Sequence, residues 1–181
     1  MPPFSIRVIG DPVLKQPARE VTDIDGSLVK LVDDMFATMY EAPGLGLAAP
    51  QVGVQKRLFV YDVEDKPGVL INPQIIESEG EWGFNEGCLS VPGLYFEIVR
   101  PKRILIRGLD LDGNEKEIEA DELWGRLFQH ELDHLEGVLL VEHLTDEQRK
   151  AAKRELRELM LDGRRPAEVK VVRADGSVEH D

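Results

Sequence analysis

The chain has 181 residues, of which 42% are hydrophobic, with 22 basic and 35 acidic side chains and a formal charge of −13. That apolar share supports a folded core, and the acidic balance argues against the whole protein being a nucleic-acid binder, though a local basic patch is compatible with it. No stretch reaches the roughly 18 apolar residues of a membrane span, the N-terminus has no apolar signal segment, and a single cysteine excludes an intrachain disulfide, so the expectation is a cytoplasmic protein that engages neither membrane nor DNA.

Gly10, Asp11, Pro12 and Pro17 predict an extended, turn-rich opening over residues 4–20. Leu28, Leu31, Val32, Met35, Phe36 and Met39 recur at helical spacing, which predicts a helix from Gly26 that stops before Pro43. Residues 44–53, GLGLAAPQVG, are too rich in glycine and proline for a regular element and too apolar for an ordinary exposed loop. LFVYDV at 58–63 and VLINPQIIE at 69–77 read as strands about the turn signal Asp65-Lys66-Pro67-Gly68. Pro73 places the second of them at an edge or makes it irregular.

Residues 85–92 read as a sharply bent turn. Lys102 to Asp110 alternates, with Ile104, Ile106 and Gly108 on one face; Asp112-Gly113 then turns the chain into a return strand over 115–120. Asp121 is the expected N-cap of a helix from Leu123 to Glu136, with Gly137 at its C′ position. Thr145 and Gln148 form a capping-box pattern at the head of a third helix that runs to about Leu161. Beyond it the tail is polar, either disordered or carrying a short strand through Val169, Val171 and Val172. There are no internal repeats, and the elements together predict one α+β domain with a tail.

The most informative stretch is His130-Glu131-Leu132-Asp133-His134, an H-E-x-x-H motif inside a predicted helix. Residues four apart share a helical face, about 5–6 Å apart at Cβ, so both imidazoles can reach one metal ion while the glutamate approaches a bound water. A helix supplies only two ligands. Cys88 is the leading third candidate, although a free cysteine can equally be a small buried hydrophobe. Glu142 or His143 can complete a harder ligand set instead, as in a generic H-E-x-x-H peptidase that cleaves internal peptide bonds.

Three blocks stand in order: Gly44-Leu45-Gly46-Leu47-Ala48-Ala49-Pro50-Gln51-Val52-Gly53, Glu86-Gly87-Cys88-Leu89-Ser90, and Gln129-His130-Glu131-Leu132-Asp133-His134-Leu135. Together, and with Ile9-Gly10-Asp11-Pro12-Val13-Leu14, they resemble the signature motifs of peptide deformylases over about residues 5–160. The resemblance implies an α+β fold in which mixed β-sheets pack around a central metal-binding helix, with a C-terminal helix. It makes 1–163 the catalytic domain and 164–181 an additional tail.

It also implies a divalent metal held by Cys88, His130 and His134, ferrous in the cell, with Zn²⁺, Ni²⁺ or Co²⁺ in purified protein. By the same resemblance a metal-bound water attacks the formyl group of formyl-methionyl nascent peptides and releases formate. Glu131 is then the general acid/base, and Gln51 with the Leu89 N–H stabilises the oxyanion. The backbones of Leu45, Gly46 and Gly87 are implied to pair with the peptide, and Phe84, Leu127 and the face of His130 to line a methionine pocket.

Arg126 either borders that pocket or pairs with Glu86 or Glu122, the second reading being favoured because an unpaired charge beside an apolar pocket is costly. Asp133 is read as a salt-bridge partner or as a group supporting a ligand; Trp82, Trp124 and Phe128 are assigned to the core, and His143 and His180 receive no role. Between Arg149 and Arg173 nine basic residues outnumber four acidic ones. That excess marks either a solvated helix or, by the resemblance, a helix that docks on ribosomal RNA near the exit tunnel. A family member that binds formyl-peptides or ribosomes without catalysis is the rival of a different kind.

Overall fold

The structure, a computed structural model, describes residues 2–162 and 170–180. In chain order it contains α1 (Gly26–Glu41), β1 (Gly46–Ala48), β2 (Leu58–Val63), β3 (Lys66–Glu79), β4 (Trp82–Cys88), β5 (Val91–Arg100), β6 (Arg103–Leu109), β7 (Glu115–Asp121), α2 (Glu122–Leu135), α3 (Asp146–Asp162), β8 (Lys170–Val172) and β9 (Val178–His180). The strands form two sheets, ordered β1-β2-β3-β6-β7 and β4-β5-β8-β9. All ladders are antiparallel except β5 with β8, which makes the second sheet mixed. The architecture is α+β with a C-terminal helix, as expected.

Strand periodicity divides the core. Leu58, Val60, Val69 and Ile71 face α1 and pack on Leu28, Val32, Met35 and Met39. Phe59, Tyr61, Leu70, Ile104 and Ile106 face the other way, onto Phe128 and Leu135 of α2. A third cluster joins Leu94, Phe96 and Ile98 of β5 to Ala151 and Ala152 of α3 and to Val172. α2 therefore lies between the sheets. Phe128 and Leu135 contact the first, while Arg126 and His130 bond to β4 and β5.

Several local expectations give way to tertiary context. The sharp turn expected over residues 85–92 is confined to Leu89-Ser90, and the residues on either side of it belong to a long antiparallel pair, β4 with β5. Residues 46–48 pair with β2 despite their glycine content. Of the two outcomes expected for Pro73, an edge position or an irregular strand, the structure shows the second. β3 is interior and accommodates it through a register shift between Ile71 and Gln74, beside Asn72 at φ 51°. Asp121 occupies the N-cap position of α2, but its side chain makes no capping bond.

Other expected devices are present. The Thr145 N–H bonds Gln148 Oε1 and the Gln148 N–H bonds Thr145 Oγ1, each at 3.1 Å, closing the capping box of α3. Val171 and Val172 lie in β8, whereas Val169 falls outside the described residues, as do residues 164–168 of the expected tail. Among the described residues no helix is long and apolar enough to cross a membrane.

Gly137 ends α2 in the left-handed region, at φ 76°, against the backbone of Lys15 and Gln16, whose carbonyl carbons lie 2.8 and 2.9 Å from where a Cβ would stand. Gly137→Ala is expected to cost about 2 kcal/mol, measured as a shifted urea midpoint. Gly83→Ala, where a Cβ meets only Val99 at 3.8 Å, is the near-neutral control.

Candidate metal centre and substrate cleft

His130 and His134 stand one turn apart on the buried face of α2, and their Nε2 atoms are 3.2 Å from each other. Cys88, at the end of β4, brings its sulfur to 3.2 Å from His134 Nε2, and the three ligand atoms lie within 4.8 Å of one another. His130 Nδ1 is 2.6 Å from Glu86 Oε1, an arrangement that places the proton on Nδ1 and leaves the Nε2 lone pair for the cluster. Among the described residues, buried His134 Nδ1 has no hydrogen-bond partner. Two imidazoles and a sulfur converging in this way suit one divalent cation with a borderline-soft preference. Cys88 is only partly buried, so the centre has an accessible side.

Burial pushes the Cys88 thiol up, but the adjacent His134 and His130 draw it well below its ordinary value, towards the thiolate that binds metal. The alternative third ligands are elsewhere. Glu142 accepts the Leu139 N–H at 2.6 Å, and His143 Nε2 is 2.7 Å from Asp133 Oδ2. Cys88 also packs against the third hydrophobic cluster, so its place beside the two histidines and its place at the edge of the core coexist.

Glu131 is 2% exposed, and its Oε2 has no hydrogen-bond partner among the described residues. Burial raises its carboxyl to about 7, against the pull of His130 and His134. Gly46 makes this placement possible, because a Cβ there would stand 2.9 Å from both Glu131 Oε1 and Leu127 Cδ1. Gln51 is 1% exposed, its Oε1 fixed by the Ala48 N–H at 2.9 Å. Its amide nitrogen donates to Ser90 Oγ at 3.1 Å and stands 3.6 Å from Cys88 Sγ.

Leu45 and Phe84 are exposed, at 49% and 40%, and Leu127 is half-buried on α2. Leu89 is half-buried, with its side chain 2.8 Å from where a Cβ on Gly44 would stand. Gly87 lies beneath the Tyr95 ring, 2.6 Å from the position of a Cβ. β1 and β4 are each the edge strand of a sheet; Cys88 ends β4, and Gly46 of β1 lies against Glu131.

The centre of this arrangement is Glu86, which the sequence offered as a partner for Arg126 but not as a partner of His130 and Arg100. Its carboxylate accepts from His130, from Arg100 at 2.7 and 2.8 Å, and from Arg126 at 2.5 Å. Burial pushes Glu86 up, but the bonds from His130 and Arg100 outweigh it and hold the carboxyl well below the usual carboxylate range. Arg100 also reaches Asp133 at 2.8 Å, and Asp133 in turn reaches His143.

Arg126 pairs with Glu86 rather than Glu122 and also donates to the Trp82 and Ile98 carbonyls. Of the three aromatic residues assigned to the core, only Phe128 is fully buried. Trp124 is half-buried against Tyr61 and Phe128. Trp82 stacks on Phe84 at 4.9 Å, with the Arg126 guanidinium 5.4 Å from its ring. A glutamate two residues before a cysteine carried a signal only through strand alternation, which the turn reading of 85–92 concealed.

A family model described as polypeptide deformylase matches residues 3–150. A peptide deformylase of Agathobacter rectalis is 56% identical over 138 residues, 76% of this chain and 87% of that protein. One from Acidothermus cellulolyticus is 49% identical over 153 residues, 84% of this chain and 85% of its own length. Among solved structures, the Legionella pneumophila peptide deformylase aligns with a TM-score of 0.84 and 42% identity, covering 90% of this chain and 99% of that one. The Synechococcus elongatus peptide deformylase, solved in complex with actinonin, aligns with a TM-score of 0.81 and 42% identity, covering 90% and 87%. Matches of this identity and coverage, joined to the Cys88–His130–His134 cluster on a shared architecture, place the chain in the peptide deformylase family.

Proposed function

We propose that the chain removes the N-formyl group from the N-terminal formyl-methionine of nascent polypeptides in the cytoplasm, releasing formate. The observation that carries this reading is the convergence of Cys88, His130 and His134 beside the buried Glu131 carboxylate and the anchored Gln51 amide. Cys88, His130 and His134 would hold one divalent ion, Fe²⁺ in the cell, with Zn²⁺, Ni²⁺ or Co²⁺ compatible with the same donor set. When bound, that ion supplies Lewis-acid activation of water at neutral pH.

Glu131 takes the proton of the attacking water and passes it to the departing amine. The Gln51 amide and the Leu89 N–H donate to the oxygen that becomes negative during attack. Ala48 N–H and Ser90 Oγ hold the Gln51 amide in place before substrate arrives, so little reorganisation accompanies the reaction. The peptide enters as an extended strand between the edges of β1 and β4, pairing with the backbones of Leu45, Gly46 and Gly87. Its methionine side chain lies among Phe84, Leu127 and the face of His130.

Wild-type protein loaded with Fe²⁺, Ni²⁺ or Co²⁺ is expected to release formate from formyl-Met-Ala-Ser. Gln51→Ala should lower kcat by about 10²–10³, the scale of a lost oxyanion donor. Glu131→Gln should keep its metal and lose turnover, whereas Cys88→Ala should lose the metal. Cleavage of internal peptide bonds without formate release would favour the generic peptidase, and metal binding with no turnover would favour the binding-only member.

Glu86 supports His130 through the Nδ1 bond, and such partners orient an imidazole ligand and raise its basicity. Glu86→Gln should weaken metal binding by about 10–100-fold in a chelator competition, with Arg100 and Arg126 left facing a neutral amide.

The basic helix carries exposed Arg149, Lys150, Lys153, Arg154 and Arg157 on one side of α3, opposite buried Ala151, Ala152 and Glu155. Lys170 and Arg173, counted with them in the sequence, pair instead with Glu155, Glu97 and Glu179, and Arg164 and Arg165 lie outside the described residues. We take the α3 face as the contact to ribosomal RNA near the exit tunnel. Reversing the charge of Lys153, Arg154 and Arg157 should abolish co-sedimentation with ribosomes at low salt; unchanged co-sedimentation would refute this role.

A further inference from the structure

The two groups assigned to the developing negative oxygen follow strands of different sheets. Gln51 lies in the short 3₁₀ turn Ala49–Val52 after β1, and Leu89 comes directly after β4. Neither sheet alone fixes their separation. The segment that precedes α1 crosses this gap. The Arg7 N–H donates to the Gln51 carbonyl at 2.7 Å, and the Ile9 N–H donates to the Ser90 carbonyl at 2.8 Å. Donors two residues apart are at most about 7 Å from one another, so one short piece of chain holds both sides to a set span.

The side chains of the segment divide in the same way. Phe4 and Ile6 pack against the first hydrophobic cluster, which includes Ala49 and Val52, while Ile9 packs against the third, which includes Val91. A turn sets the position of Ile9. The Asp11 N–H donates to the Val8 carbonyl at 3.1 Å, and Gly10 takes φ 103° at the third position, as a type II turn requires. Asp11 Oδ1 accepts the Val13 N–H at 3.1 Å, and the Val13 carbonyl accepts from Gln55 Nε2 at 2.9 Å, so the turn is tied back to the chain just beyond Gln51.

A side-chain link between the two sides, from Gln51 Nε2 to Ser90 Oγ, is made by the same amide that serves the substrate oxygen. The backbone bonds from Arg7 and Ile9 engage no reacting group and so can hold the span throughout a turnover. Resting on the deformylase reading, we propose that residues 7–9 are a positioning segment. By bridging the Gln51 and Ser90 carbonyls they set the spacing between the Gln51 amide and the Leu89 N–H, and so preorganise that pair for the transition state.

The test uses Ile9→Pro and Ile9→Ala. Proline suits the second position of a type II turn and removes the N–H that reaches Ser90, whereas alanine shortens the side chain and keeps the N–H. For Ni²⁺-loaded protein, kcat and KM with formyl-Met-Ala-Ser are measured beside the bound metal per chain. Ile9→Pro is expected to lower kcat about tenfold below Ile9→Ala, the scale of one hydrogen bond, with KM and bound metal equal in the two. In a Gln51→Ala background the same comparison should give about twofold or less, because the pair whose spacing is set has lost one member.

Equal kcat in the two Ile9 variants, a loss accounted for by missing metal, or the same factor with and without the Gln51 amide would overturn the positioning role and leave the deformylase reading intact. If Ile9→Pro does not fold, Gly10→Ala decides in the same two backgrounds. Its Cβ meets nothing within 4 Å but is strained at φ 103°, so it disturbs the turn without touching either cluster. It should lower kcat at unchanged KM, and an unchanged kcat would overturn the proposal. No formate from the wild type would overturn both readings.

Discussion

The buried Glu86 carboxylate is the interaction on which the rest of this arrangement depends. It sits on β4 and accepts from Arg100 of β5 and from Arg126 and His130 of α2, so one side chain joins the second sheet to the helix that carries both histidines. A lone carboxylate at this depth would neutralise or be excluded. Two guanidinium groups keep it ionised, and Asp133 balances the second positive charge through Arg100. Removing one member leaves the others charged and desolvated, which makes such a cluster an all-or-none structural element.

Anchoring α2 in this way also fixes the position of the cleft. The first sheet ends at β1 and the second at β4, and α2 contacts both, so the two strand edges are held beside the cluster of Cys88, His130 and His134. Exposed edges invite indiscriminate pairing. Here β1 is three residues long and β4 carries glycine at 83 and 87, which leaves short backbone segments suited to an extended chain and few side chains to obstruct it. Small residues serve the same purpose at the buried end, where Gly46 lets Glu131 and Leu127 approach the backbone.

The legible parts of the fold were those decided locally. The helical spacing of Leu28 to Met39 marks α1, and the alternation around Ile104 and Ile106 marks β6. The Thr145–Gln148 pattern marks the start of α3, because two bonds across one turn need no distant partner. The second sheet was not legible in the same way. Glycine and proline at 83, 87, 92 and 93 signal a bend locally, and only the ladder between β4 and β5, extended by β8, outweighs that preference. Trp82 reads as core by composition but stacks over Arg126, since burying that guanidinium brings the aromatic rings to it.

The sequence by itself determined the chemical inventory of the site: two histidines one helical turn apart with a glutamate between them, and one cysteine and one glutamine in distinctive surroundings. Those identities follow from residue type and short-range spacing, which a linear chain states directly. The motif spacing alone left Cys88, Glu142 and His143 open as the third group, and the tertiary structure brings Cys88 beside the two histidines. It also decided that Glu86, Arg100, Arg126 and Asp133 form one charge network. Buried charges are tolerated only where distant strands and helices bring their partners within hydrogen-bonding reach, and that condition exists only once the chain has folded.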